Sequence, residues 1–234
     1  MAIYTISDLH LPLGVNKPMD IFGATWANYV QRLAENWHTI IKPDDTVVLG
    51  GDFSWATYLE QSVKDFEFLH SLPGKKLLLK GNHDYWWTTK SKLNQFLAEH
   101  GFSDIEFLHN NSYIVEDIAI CGSRGWGLPE IAKTAEDVKI YEREIGRVKL
   151  SIDDARKQTD NEIVVFLHFP PLLQDMRTNP MTALLTKENI KRCYFGHLHK
   201  SGAKNVFEGI YGGVEYKLCS CDYLNFTPIL VNGN

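Results

Sequence analysis

No run of about 18 apolar residues occurs in the sequence, so no membrane-spanning helix is expected. The opening residues, Ala2-Ile3-Tyr4-Thr5-Ile6-Ser7-Asp8, have no basic segment, long apolar core or small-residue cleavage site. They read as a strand leading into acidic chemistry and not as a signal peptide, so a cytoplasmic protein is expected. Cysteine is scarce: Cys121, Cys193, Cys219 and Cys221 each lie in or beside an apolar, strand-like run. A disulfide framework is therefore not expected. With no second Cys or His pair at zinc-site spacing, Cys219 and Cys221 read as small residues on one face of a strand. Positive charge is also short. The 24 Lys and Arg stand against 29 Asp and Glu, for a net charge of −5. That lacks the basic footprint of a general nucleic-acid binder, so a nucleic-acid partner is not expected. No repeat, low-complexity tract or Pro/Gly/Ser linker interrupts the chain, and one domain over residues 1–234 is expected.

What is present is an ordinary globular composition, 44% hydrophobic, in which short apolar runs alternate with helical patterns. That alternation argues for an α/β fold. Helices are expected over 22–41, 58–71 and 88–100, the last closed by Gly101. The longest is expected over 130–159, where Val138, Tyr141, Ile145, Val148, Ile152 and Ala155 form one apolar stripe suited to covering a sheet. Residues 112–123 read as two strands turning at Glu116-Asp117. Residues 204–231 read as β-hairpins, with Gly212-Gly213 as a tight turn. The segment Leu172–Ile190, with a turn at Asn179-Pro180, is a candidate flap.

Five apolar runs end in residues that bind metals. Ile3–Ile6 leads to Asp8 and His10, and Val47–Leu49 to Gly51-Asp52. Leu77–Leu79 leads to Gly81-Asn82-His83-Asp84, and Val164–Leu167 to His168. Cys193–Phe195 leads to Gly196-His197-Leu198-His199. In α/β sheets, sites form at the carboxyl ends of strands, so these ends can converge. In extended backbone, residues two apart point the same way, as Asp8 and His10 or His197 and His199 would. Asp, Asn and His together suit Mn, Fe or Zn better than a thiolate-loving ion. Seven such residues exceed the needs of one ion, and two ions sharing a carboxylate would use them all.

Taken in order, Asp8-x-His10, Gly51-Asp52, Gly81-Asn82-His83-Asp84, His168 and Gly196-His197-x-His199 resemble the motif set of the calcineurin-like metallophosphoesterase superfamily. The resemblance implies two β-sheets packed face to face and flanked by helices, a four-layer αββα fold. It implies that Asp8, His10 and His199 hold one metal, that Asn82, His168 and His197 hold the other, and that Asp52 bridges both. It further implies a phosphatase or phosphodiesterase in which a metal-bridging hydroxide attacks phosphorus. His83 resembles the family's non-ligand histidine, which protonates the leaving group or binds phosphate. Asp84, next to it, is a candidate catalytic residue.

The sequence departs from the pattern of several branches of the family. After Gly51-Asp52 the usual acid and Arg are replaced by Trp55 and Ala56. That removes the acidic partner of His83 and one phosphate-binding Arg, which weighs against a serine/threonine protein phosphatase. Arg124 is a candidate substitute, since its fork suits phosphate, with Arg177 a lesser one. Trp55, Trp86, Trp87 and Trp126 surround the motif loops, and Trp87 is a candidate for stacking on a substrate base. The expected substrate is a small phosphomonoester or phosphodiester, such as a nucleotide. The alternatives are a catalytically silent metal-binding scaffold, a protein phosphatase, and a nuclease within a larger complex.

Overall fold

A computed structural model describes residues 1–128, 134–175, 177–200 and 202–231. Strands β1 (Ile3–Ile6), β2 (Thr46–Leu49), β3 (Lys75–Leu78) and β4 (Ile105–Phe107) pair in parallel in that order. Alongside β1 runs the antiparallel edge strand β11 (Ile229–Leu230). The second sheet has β6 (Ile118–Ser123), β7 (Glu162–Leu167), β8 (Arg192–Phe195) and β10 (Val214–Leu218) as its parallel centre. Antiparallel edges close it: β5 (Tyr113–Val115) on β6 and β9 (Gly209–Tyr211) on β10.

Side-chain alternation along these strands builds three apolar layers. Ile3, Val48 and Leu77 of the first sheet meet Ile118, Ile120, Val164, Phe166 and Tyr194 of the second, so the sheets pack face to face. The opposite face of the first sheet (Ile6, Val47, Leu49, Leu78) packs under α1 (Tyr29–Ile40), α2 (Val63–Ser71) and α3 (Lys90–His100). The opposite face of the second (Ala119, Cys121, Val165, Cys193, Phe195) packs under α4 (Ala135–Arg156) and α5 (Pro180–Lys187). These are the four layers expected. The stripe Tyr141, Val148, Ile152 and Ala155 of α4 is buried as its spacing predicts, and all four cysteines are free and buried.

Two local expectations need correction. The helix expected over 22–41 begins only at Tyr29. Before it, the chain makes two separate 3-10 turns, Asp20–Phe22 and Ala24–Trp26, joined at Gly23 with φ 121° and ψ 163°, a conformation open essentially to glycine alone. The pair Asn179-Pro180 starts a helix: Asn179 caps α5 by accepting from the backbone of Met181 and Thr182, and Pro180 fills the first helical position. Met181 and Leu185 are buried in the layer with α4, and the Tyr141 hydroxyl joins Asn179 at 2.9 Å. The candidate flap is thus part of the fold's outer layer, apart from Met176, which lies outside the described residues, as do positions 130–133 of the helix expected over 130–159. In the tail, Gly212 and Gly213 (φ 59° and 80°) make the two-residue turn of a β9–β10 hairpin as expected. The chain then crosses to the other sheet as β11.

Parallel centres place the carboxyl ends of both sheets on one edge of the molecule. The two ends are stitched together there. Ser7 N donates to Cys219 O at 2.8 Å, and Cys221 N donates to Ser7 O at 2.9 Å. The loops after β1, β2, β3, β7, β8 and β10 meet at that seam.

Candidate metal centre

The loop after β1 runs beside the loop after β2. Asp8 N donates to Gly51 O, and His10 N to Asp52 O, both at 2.9 Å. Asp8, His10 and Asp52 sit there with φ of 60°, 47° and 52°, and His197 beyond β8 with 72°. The expected extended pairing of Asp8 with His10 is therefore replaced by a turn that bends both side chains to the seam. Left-handed backbone at non-glycine residues is uncommon, and it clusters where a site over-determines it. Close approach fixes the glycines. A Cβ on Gly81 would lie 2.1 Å from Asp52 Oδ1, and one on Gly196 would lie 2.2 Å from Ser7 Oγ.

The seam gathers two groups of donors. Asp8, His10 and His199 offer ligand atoms within 4.8 Å of one another, as do Asp52, His168 and His197. Asn82 joins the second group, its Oδ1 lying 2.7 Å from His168 Nε2. Asp52 spans both: its Oδ2 is 3.7 Å from His10 Nε2 and 3.5 Å from His168 Nε2. All seven sequence-predicted ligands are thus brought together, in the two groups expected.

The donor set fits cations. His168 Nδ1 faces the Gly50 carbonyl at 3.1 Å. Burial, reinforced by His197, holds its pKa well below the ordinary value. The neutral ring then turns an Nε2 lone pair toward two further acceptors, the Asn82 and Asp52 oxygens, an arrangement that calls for a positive charge between them. In the first group His10 and His199 aim Nε2 at Nε2 across 3.3 Å, which needs a proton or a metal ion in between. His10 is lowered by burial and by His199, and His197 falls to about 4, again by burial first. Asp52 is pushed up to about 9 by burial and then by the carboxylates of Asp84 and Asp8. Asp8 is raised by burial. Buried carboxylates crowded in this way are costly unless cations compensate them.

The other sequence-predicted residues divide. The half-buried His83 ring packs against Trp55 at 4.9 Å and His10 at 5.7 Å. Its pKa is lowered by burial, then by Lys17. No carboxylate among the described residues hydrogen-bonds that ring, so Trp55 has replaced the expected acid by packing.

Asp84 is not beside it in function. Its buried carboxylate accepts from the backbone N–H of Asp52, Phe53, Ser54 and Gly81 and from Trp86 Nε1. Both oxygens are consumed in clamping the β2 and β3 loops together. Trp87 is likewise drawn into the protein interior. It is 9% exposed and packs on Phe107 at 5.0 Å and Trp86 at 5.4 Å, inside the first helix layer.

Arg124 lies near His168, with one guanidinium nitrogen turned to a carboxylate and its buried Nε without a hydrogen-bond partner among the described residues. The guanidinium pairs with buried Glu144 at 3.3 Å and lies over Trp126 at 4.5 Å. Arg124 O also accepts from His168 N, so the residue holds the second group from behind. Arg177 is exposed and pairs with Asp175.

Sequence reasoning missed three neighbours. Asp222, in the turn after β10, accepts from His199 Nδ1 at 3.0 Å and from Lys200 N at 3.0 Å. Burial works to raise its pKa, but the His199 and Lys200 bonds hold it below the usual value. It fixes the ring so that Nε2 faces the centre. Trp26 stands edge-on to His199 at 5.7 Å. Lys17 Nζ lies 3.1 Å from the centre of the Trp55 ring, while Trp55 stacks on His10 at 4.5 Å.

The family profile described as calcineurin-like phosphoesterase matches residues 1–201. Among solved structures, the phosphopantetheinyl hydrolase PptH from Mycobacterium tuberculosis is similar at 16% identity, with a TM-score of 0.60 over 100% of this chain and 96% of that one. A protein of unknown function, AQ665 from Aquifex aeolicus, is similar at 19% identity and TM-score 0.53, covering 98% and 95%. TT1561 of Thermus thermophilus is similar at 12% and 0.52, covering 98% and 97%. No curated protein sequence matches.

Proposed function

This chain belongs to the calcineurin-like phosphoesterase family, and from that premise we propose that it hydrolyses a small phosphomonoester or phosphodiester, such as a nucleotide, at two metal ions. Asp8, His10 and His199 would hold one ion, Asn82, His168 and His197 the other, and Asp52 both. When bound, Mn, Fe or Zn would supply a hydroxide nucleophile near neutral pH and offset charge on the phosphoryl oxygens. The observation that carries the reading is the Asp52 carboxylate, one oxygen of which stands between a histidine nitrogen of each group.

The protein's own groups do the rest. Asp222 and the Gly50 carbonyl orient His199 and His168, so that each presents one ring nitrogen to the centre. Asp84 keeps the Asp52 and Asn82 loops in register. His83, beside the ligands and free of a carboxylate partner, donates to a phosphoryl or leaving oxygen. Trp55 holds the His83 ring by contact.

The test is to strip the protein of metal, resupply Mn, Fe and Zn separately, and assay one chromogenic monoester and one diester. Turnover that appears only with added metal is the expected result. A protein that takes up two ions per chain yet cleaves neither ester would be a silent scaffold and would overturn the proposal.

A further inference from the structure

Beside the first ligand group the molecule opens a cavity of about 380 Å³. Its lining combines His10, His83 and His199, the rings of Phe22, Trp26 and Trp55, and the charged Lys200 and Asp222. Two of the rings are rigid where they meet the histidines. Trp26 stands edge-on to both ligand rings, at 6.2 Å from His10 and 5.7 Å from His199. Tyr29 and Phe226 wedge it from behind at 5.1 and 5.3 Å. Trp55 is fixed by its stack on His10 and by an indole N–H directed to Met19 Sδ at 2.8 Å.

The outer lip is different. Phe22 is 58% exposed although it is a large ring. It reaches this place because Gly23 takes a glycine-only conformation that lets two one-turn helices abut, so that Phe22 and Trp26 both border the cavity. The local sequence favours one continuous helix from residue 22. Interrupting it leaves the Phe22 ring exposed at the mouth of the site.

Phe169 lies 4.2 Å from the His197 ring, and Arg124 is held by Glu144. His83 lines the cavity, and of the two roles proposed for it above we take the one at the leaving oxygen. The rings of the cavity therefore adjoin the side from which the alcohol departs.

We propose that this slot receives the leaving alcohol of the substrate, and that this alcohol carries a flat, largely apolar ring, as aryl alcohols and nucleosides do. The inference rests on the hydrolytic reading of the site. In the reaction, the oxygen of water bonds to phosphorus. The bond from phosphorus to the ester oxygen breaks with its electron pair passing to that oxygen. A proton from the water completes the free alcohol. The ring leaves into the slot and the phosphate remains over the ligands. Edge and face contacts with Trp26, Trp55 and Phe22 discriminate a ring from a bare alkyl group.

Two measurements test this, using Phe22→Ala and Phe22→Tyr, changes at an exposed position that should leave the fold intact. In the first, metal-loaded protein is assayed on phenyl and methyl esters of phosphate, each as monoester and diester. Comparing each variant with the parent on the same ester cancels the leaving groups' intrinsic reactivity. With Phe22→Ala, kcat/KM should fall about tenfold further for the phenyl ester than for the methyl ester, as expected for one ring contact. Phe22→Tyr should restore it. In the second, metal-free protein is titrated calorimetrically with adenosine and with ribose. Adenosine should bind several-fold more tightly than ribose, and Phe22→Ala should weaken it.

Equal losses on both esters, or adenosine no tighter than ribose, would overturn the slot. Failure of the parent protein to cleave any ester with any metal would instead refute the hydrolytic reading. The metal-free titration would then still decide whether the slot takes a ring.

Discussion

Beside His10 and His199 stand two rings, Trp26 and Trp55, and Phe22 nearby is left open to solvent. Beside His168 and His197 stands one ring, Phe169, and through Arg124 the second group is joined to an ion-pair chain. Buried Glu144 receives Arg124, Arg147 and the Ser123 hydroxyl. Two flanks of one centre thus spend their residues differently. On one, apolar surface is held rigid and uncovered, which is the condition for recognising something from outside. On the other, a buried carboxylate gathers the nearby positive charge, which stabilises the loops. Arg124 looks like a phosphate fork in the sequence, yet it belongs to the second kind.

This contrast can be broken at its shared element first. Asp52→Asn removes the one carboxylate common to both groups. It should lower the rate by about a thousandfold or more, consistent with the several kcal/mol such charge stabilisation supplies. Both ions should also fall in elemental analysis. A variant that kept full activity would refute a shared ligand.

Glu144→Ala tests the charged flank alone. It strands two arginines and should cost about 3–5 kcal/mol of stability in a denaturant titration. Turnover per folded molecule should stay within about threefold. A large loss of turnover with little loss of stability would make that flank part of substrate recognition.

Asp222→Asn should weaken only the ion on the ring-lined flank, by about 10–100-fold in affinity. Equal loss of both ions would show that the two groups do not load separately.

The smallest effect is graded with pH. Burial and two neighbouring carboxylates raise Asp52 to about 9 in the folded, metal-free chain, against an unfolded value near 4. The metal-free fold therefore holds a proton that the unfolded chain releases. Its stability should be highest below about pH 4 with respect to this group and should decline as pH rises toward about 9. An ion must displace that proton, so metal affinity should move the other way, rising by at most about tenfold per pH unit over the same window. Calorimetric metal titrations at several pH values would check this, and a flat profile would remove Asp52 from the ligand set.

The candidate ligand positions were legible because each lies shortly after an apolar run that reads as a strand. Asp8, His10, Asp52, Asn82, His168, His197 and His199 are marked by their neighbours in sequence. Asp222 carried no such mark. It reaches His199 only because β10 ends against β1, with Cys219 and Cys221 bonded to Ser7 on either side. Asp84 and Trp87 misled in the opposite sense. Adjacency to the Asn82-His83 motif suggested chemistry, while backbone N–H groups claimed the carboxylate and Phe107 the indole. The four layers followed from strand alternation, but α5 did not. Asn179-Pro180 is equally a turn and a capped helix start until Tyr141 and the buried Leu185 decide between them. The missed break at Gly23 is the most instructive, since the periodic pattern around it was sound and tertiary demands overrode it.

The left-handed backbone at Asp8, His10, Asp52 and His197 has a consequence for anyone trying to toughen this protein. Glycine adopts such angles without penalty, and each side-chain residue held there costs on the order of 1–3 kcal/mol. Directed evolution for heat resistance alone would find some of its cheapest gains at these four positions, and every one of them would disarm the centre. Selection for hardiness in this scaffold should therefore always be run together with selection for turnover.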